Sequence, residues 1–326
     1  MEVDAGQIGP RTIRNDRLQA AQRYFALPTI IVPAIGLATA VFEVAQGTAG
    51  SFEIVLLSVT YVITMAGITV GFHRYLTHRS FQASAGTRAA LAVLGSMTAQ
   101  GPVINWVSNH RRHHAHSDAV GDPHSPYVTD RGEPLGPARG LWHAHVGWLF
   151  DGEITNAMRF SKDLLRDPTI VRMNRLYLLW VLLGLAIPAA IGWLWTGTAF
   201  GTFQGFLWGG LVRVALNQNA TWSIGSLAHI FGSRPFDTGE HEQSRNSFVL
   251  ALPILGDGWH NNHHAFPRSA ISGFHWWQVD PSAWIVRLLE AVGLAWDVEG
   301  VPDAWSRRRR ARAQPPGLAG KDRSIV

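Results

Sequence analysis

The histidines of this 326-residue chain are grouped rather than scattered. His73 and His78 form H-x-x-x-x-H. His110, His113 and His114 form H-x-x-H-H, and His260, His263 and His264 repeat it. On a helix, positions i, i+3 and i+4 share a face, so each H-x-x-H-H is expected to aim three imidazoles at one volume. A lone buried histidine is ordinarily a hydrogen-bonded core residue; eight in three clusters point to metal. The chain has no Cys, which removes thiolate zinc sites, Fe–S clusters and disulfide scaffolds. Imidazole suits Zn, Cu, Fe and Ni. A single zinc would leave half the cluster idle, and haem takes only one or two axial histidines. Eight or nine nitrogens suit two ions, each with four or five ligands and one position left open. Imidazoles titrate near about 6.5, so they are neutral at working pH, as ligands must be. Their second ring nitrogens need acceptors. Asp118, Asp122 and Asp257 lie close in sequence and read equally as those acceptors or as ordinary caps.

Elements must carry these residues to one place. Charged residues are only 16% of the chain, hydrophobic ones 47%, and there are 14 Trp, a composition typical of a bilayer protein with interfacial aromatics. Four stretches approach the roughly 20 residues a membrane helix needs, at about 24–45, 54–72, 176–196 and 202–225. A weaker apolar stretch at Ala89–Thr98 is too short to span and reads as an interfacial or re-entrant helix. The spans pair into two hairpins whose turns, Gln46–Ser51 and Gly197–Gly201, carry no Lys or Arg. Basic residues apart from Arg213 fall in 1–23, 73–175 or after 225, which places both termini and every histidine cluster on the cytoplasmic side. The expected fold is therefore an all-α integral membrane protein: four transmembrane helices in two hairpins under a cytoplasmic helical cap. Residues 1–23 read as a polar tail without the apolar core of a secretory leader. Residues 24–300 read as the membrane domain, and 301–326 as a basic, disordered tail. The net charge of +5 fits an anionic membrane surface, and no nucleic-acid partner is expected. Arg213, inside the fourth stretch, is a candidate for cavity or partner contact, with snorkelling the alternative.

HRYLTH at 73–78, HRRHH at 110–114 and HNNHH at 260–264 resemble the three histidine boxes of membrane fatty-acid desaturases, in the acyl-CoA and acyl-lipid Δ9 branch. The flanks SDAVGDPHSPY, NATW at 219–222 and GDGWHNNHHAFP are similar too, and the resemblance covers about residues 24 to 300. It implies a di-iron centre (two Fe) held by His73, His78, His110, His113, His114, His260, His263 and His264. It adds His229, in SLAHIFG, as a ninth ligand. The family commonly has Asn four residues before that His; here it is Gly225, so one coordination position differs. His116, His124, His143, His145, His241 and His275 are expected to be non-ligands, in hydrogen bonds or on the surface.

The resemblance also implies substrate residues. Gln100, Trp106 and Thr221 would hold the bend of an acyl chain, and Tyr61 and Met65 would close the tunnel, Met65 being bulky enough to favour shorter long-chain groups. The animal acyl-CoA enzymes have an Arg-Asp pair before the second box; here Ser108 and Asn109 stand there, leaving the carrier open between acyl-CoA, acyl-lipid and another acyl carrier. The implied reaction is O2-dependent desaturation of a saturated fatty-acyl group at Δ9. Electrons would come from an external ferredoxin, rubredoxin or cytochrome, as no fused H-P-G-G haem motif is present. Two alternatives stand beside it. One is an acyl-chain or lipid hydroxylase on the same scaffold; the other is a histidine-rich membrane metal-binding or transport protein.

Overall fold

A computed structural model describes residues 10–13 and 15–301. The expected tail at 301–326 lies, from residue 302, outside the described residues, as do residues 1–9 and 14 of the N-terminal tail. The protein is mostly helical, with two short antiparallel pairs, Thr12–Ile13 with Ile154–Thr155 and Gln82–Ala83 with Ala295–Trp296. Among the described residues, three helices are long and apolar enough to cross a membrane: α1 (Asp16–Ala45), α2 (Ser51–Thr77) and a later one, Tyr177–Thr196. Between them lie α3 (Ala85–Ser96) and α4 (Val103–His116), followed by shorter helices before Tyr177–Thr196, here α5.

The fourth expected span is a helical run over 199–225, α6, built as Ala199–Gln204, a π-helical stretch Gly205–Val212, and Arg213–Gly225. It packs on α1, α2 and α5. Two boundaries differ from the sequence expectation. Helix α1 begins at Asp16, where the Asn15 side chain accepts from the Leu18 N–H, so it takes in eight residues assigned to the polar tail. Helix α2 does not stop at Phe72; it continues as a π-helix over Gly67–Thr77 and carries His73 within it.

The bundle is apolar outside and small-residued inside. α1 buries Ala26, Pro33, Gly36 and Ala40, while Phe25, Ile35, Val41 and Phe42 are exposed. Without hydrophobic drive inside lipid, helices gain by close backbone approach at small residues. A Cβ on Gly36 would sit 2.5 Å from Leu211 Cβ, and one on Gly205 would sit 2.1 Å from the Pro188 carbonyl. The same device seats α3 on the π segment of α2: a Cβ on Gly67 would lie 2.2 Å from the Gly95 nitrogen. Arg213 is buried and meets neither cavity nor solvent. It donates to Gly209 O at 3.1 Å, to Gly184 O at 2.7 Å and to Met97 O, tying α6 to α5 and to the end of α3.

The third histidine cluster follows the bundle. After α7 (Leu227–Ile230) and an irregular stretch comes α8 (His260–Ala265), then α9 (Pro281–Ala291). The main core gathers the π segment of α2 with α3, α4 and residues of α9, at the end of the bundle where the histidines lie.

Candidate di-metal site

The π-helix explains the H-x-x-x-x-H spacing. In an α-helix, residues five apart point about 140° from one another. In a π-helix the bonds run i to i+5 and such residues come into line. The His78 N–H bonds to the His73 carbonyl at 3.1 Å, and the two rings meet with centroids 4.9 Å apart.

Nine imidazoles converge, but not box by box. His73, His78, His110, His114 and His263 form one group; His113, His229, His260 and His264 form another. Within each group the nearest ligand atoms lie within 4.8 Å of one another. This corrects the expectation that each H-x-x-H-H serves one volume. Adjacent helical residues diverge by about 100°, so His113 and His114 cannot aim at one point. His110 and His114 go to the first group and His113 to the second; His263 goes to the first, and His260 and His264 to the second. The boxes exchange one residue each and lock the groups side by side.

Inside the groups ring nitrogen faces ring nitrogen, and not every one finds a partner. His73 Nε2 lies 3.1 Å from His263 Nε2, which lies 3.0 Å from His114 Nε2, itself 3.2 Å from His110 Nε2. In the second group His229 Nε2 is 3.0 Å from His260 Nε2. The buried nitrogens His78 Nε2, His113 Nε2, His260 Nδ1 and His264 Nε2 have no hydrogen-bond partner. Imidazole nitrogens gathered this closely, several of them without a partner, fit a cation between them, and the donor set suits two borderline ions.

Carboxylates sit behind the rings. Asp257 accepts from His73 Nδ1 at 2.7 Å, Asp122 from His113 Nδ1 at 3.0 Å, and Asp118 from His229 Nδ1 at 2.7 Å. Holding Nδ1 as the donor leaves Nε2 as the free lone pair facing inward. Of the two readings of these aspartates, the structure selects the acceptor role. Glu242, which sequence reasoning missed, lies 3.4 Å from His264 Nδ1. So did it miss Arg74, inside the first box, which donates to Asp257 and Asp280 and to the Ala270 carbonyl.

Burial, then repulsion from neighbouring imidazoles, lowers His78, His110, His114, His260, His263 and His264 well below the ordinary histidine value, so all six are neutral. His113 goes the other way: burial would lower it, but Asp122, Asp118 and Glu242 outweigh that and raise it.

A cavity of about 580 Å³ runs along the groups, lined by His73, His110, His113 and His260 and by apolar residues including Ile68, Ile224 and Ile254. Gln100, Trp106 and Thr221 all line it, and Gln100 Nε2 donates to Thr221 Oγ1 at 3.2 Å. The Trp106 ring stacks on His110, centroids 5.1 Å apart. Tyr61 and Met65, the residues expected at the tunnel end, are not among its lining residues. Met65 is fully buried in the core, and the Tyr61 hydroxyl donates to the Pro253 carbonyl at 2.7 Å. Asn109 lines the cavity, whereas Ser108 is buried and bonded to Ser161 Oγ at 2.5 Å.

The remaining histidines divide. His143 bonds to Asp151 and the Ser125 carbonyl, and His145 to Ser226 and Asn219. His124 is neither bonded through its ring nitrogen Nδ1 nor on the surface. It stacks on His113, and burial, with repulsion from His113, lowers it to about 3.

With this geometry in view, a family model described as fatty acid desaturase matches residues 51–298, and the chain belongs to that family. Three relatives illustrate its range. The hex-5-enoyl-[acyl-carrier protein] acetylenase of Moorena producens (strain JHB) is 45% identical over 89% of this chain and 90% of its own. The Delta-9 acyl-lipid desaturase 1 of Arabidopsis thaliana is 38% identical over 78% of this chain and 77% of its own. The sn-1 stearoyl-lipid 9-desaturase of Anabaena variabilis is 37% identical over 72% of this chain and 78% of its own. The protein is thus a membrane oxidoreductase of the fatty acid desaturase family.

Proposed function

We propose that this protein desaturates a fatty-acyl chain with two iron ions, one in each imidazole group, the acyl tail lying in the adjoining cavity. The observation that carries this reading is the pair of buried imidazole groups opening on an apolar cavity. Bound iron supplies the O2-dependent oxidation that no side-chain acid or base achieves at an unactivated methylene. The chain's own residues do the rest. His73, His78, His110, His114 and His263 would hold one ion, and His113, His229, His260 and His264 the other. Asp257, Asp122 and Asp118 keep the Nδ1 protons outward. Trp106, Ile224 and Ile254 exclude water, and the Gln100–Thr221 pair shapes the bend of the chain beside His110.

In this reading α1 with α2 and α5 with α6 cross the bilayer as two hairpins. Both termini and the metal groups then face the cytoplasm, where the placement of Arg and Lys puts them. Electrons arrive from a separate carrier such as a ferredoxin, rubredoxin or cytochrome. The Δ9 position implied by the boxes belongs to a long chain. A relative aligned over nearly its whole length is named for a hex-5-enoyl group on a carrier protein. That likeness favours a shorter acyl group than stearoyl, and leaves acyl carrier protein beside CoA and lipid as its carrier.

Expression in a host lacking its own desaturase, fed acyl chains from hexanoyl to stearoyl, tests the reading by mass spectrometry of the lipids and thioesters. Loss of two hydrogens from the shorter chains, abolished in His263→Ala, is expected. Gain of an oxygen atom identifies a hydroxylase instead. Unaltered acyl chains together with one zinc per chain identify a metal-binding protein.

A further inference from the structure

The second imidazole group has four members where the first has five. Beside it stands a histidine without a role. His124 stacks nearly parallel on His113, ring centroids 4.5 Å apart at 24°. Its Nδ1 is buried and has no hydrogen-bond partner; the nearest carboxylate oxygen, on Asp122, is 3.9 Å away, too far to accept. His113, Asp122 and His124 place ligand atoms within 4.8 Å of one another. A buried imidazole nitrogen left without a partner is costly unless something binds it.

What gives the ring its room is Gly225, at the end of α6. A Cβ there would come 3.1 Å from His124 Nδ1 and 3.3 Å from its Cε1. Gly225 and His124 both line the cavity, so the ring stands at the edge of open space rather than in packed core. Resting on the di-iron reading above, we propose that His124 completes the second group. It would be a tenth imidazole ligand, its ring free to turn because residue 225 has no side chain. Each ion would then have five histidine nitrogens.

The test is metal retention in the purified, iron-loaded protein, read by chelator-driven release and by Mössbauer spectra. His124→Phe keeps the stack on His113 and removes the nitrogens. Gly225→Ala leaves His124 untouched but crowds its ring, at a helical position where Ala is favourable. In both variants one of the two irons is expected to leave at least about tenfold faster, with one of the two spectral components changed and the other not. Wild-type release and unchanged spectra in both variants would show that His124 only packs, while the di-iron reading stands. A wild-type protein that retains fewer than two irons would sink that reading and this proposal with it.

Discussion

The residues between the histidines do as much to build the site as the histidines. Arg74 in HRYLTH reaches Asp257 and Asp280; Arg111 in HRRHH donates to the carbonyls of Leu76 and Thr77 and to Asp163; Arg112 donates to the Gly121 carbonyl, Thr155 and Asp130. These guanidiniums pin the end of α2 to α4 and to the chain after it. Removing Arg74 strands two buried carboxylates. Arg74→Met is therefore expected to lower stability by about 3–5 kcal/mol, read as the denaturant midpoint in detergent micelles. Asp118 stands directly behind one of the imidazole groups. It accepts from His229 Nδ1 and the Gln243 N–H, and it has a left-handed backbone, φ 57°, that Asn tolerates. Asp118→Asn should fold normally and weaken iron binding about 10–100-fold, measured by competition with a chelator.

At the scale of elements, the π-helix decides the site. The stretch Gly67–Thr77 brings His73 and His78 into line, and its seat against α3 depends on Gly67. Gly67→Ala drives a methyl into the backbone of Leu94 and Gly95, which cannot swing aside as a side chain would. The expected result is a loss of several kcal/mol, about the upper range for overpacking, with parallel loss of bound iron; unchanged melting in detergent would contradict this account of the α2–α3 contact. Helix α6 is the other positioning element. Arg213 holds Met97 O and Gln218 holds Ala99 O at 3.1 Å, on either side of the turn that presents Gln100 to Thr221. A buried Arg thus serves as a brace for the cavity wall.

At the scale of the molecule, the topology has a direct test because the chain has no Cys. Thr48→Cys, in the turn between α1 and α2, and His241→Cys, in the stretch before α8, are expected to react with a membrane-impermeant thiol reagent from opposite faces. Labelling of both from one face would refute the two-hairpin arrangement. In the same arrangement the exposed Phe25, Val41, Ile54 and Leu194 meet lipid rather than water.

Much of this was legible along the chain. Length and hydropathy located the three long apolar helices, although α1 starts eight residues earlier and α2 runs five residues further than expected. The box spacings named the residues to be gathered, since imidazoles in that number and without Cys have few other uses. His229 emerged only through resemblance, as a single histidine in an apolar stretch carries no periodic signal. Three features stayed hidden: the π-helical turn under His73 and His78, the exchange of His113 and His263 between groups, and the placing of His124 against Gly225. None has a local signature. Each depends on how helices from distant parts of the chain cross, and on which backbone carbonyls and carboxylates those crossings leave to be satisfied. By itself the sequence determined which side chains are of a type to hold metal and where the long apolar helices lie, because both follow from composition and spacing. The tertiary structure alone decided which nitrogens face each other and where the cavity ends, because those depend on contacts between residues far apart in the chain.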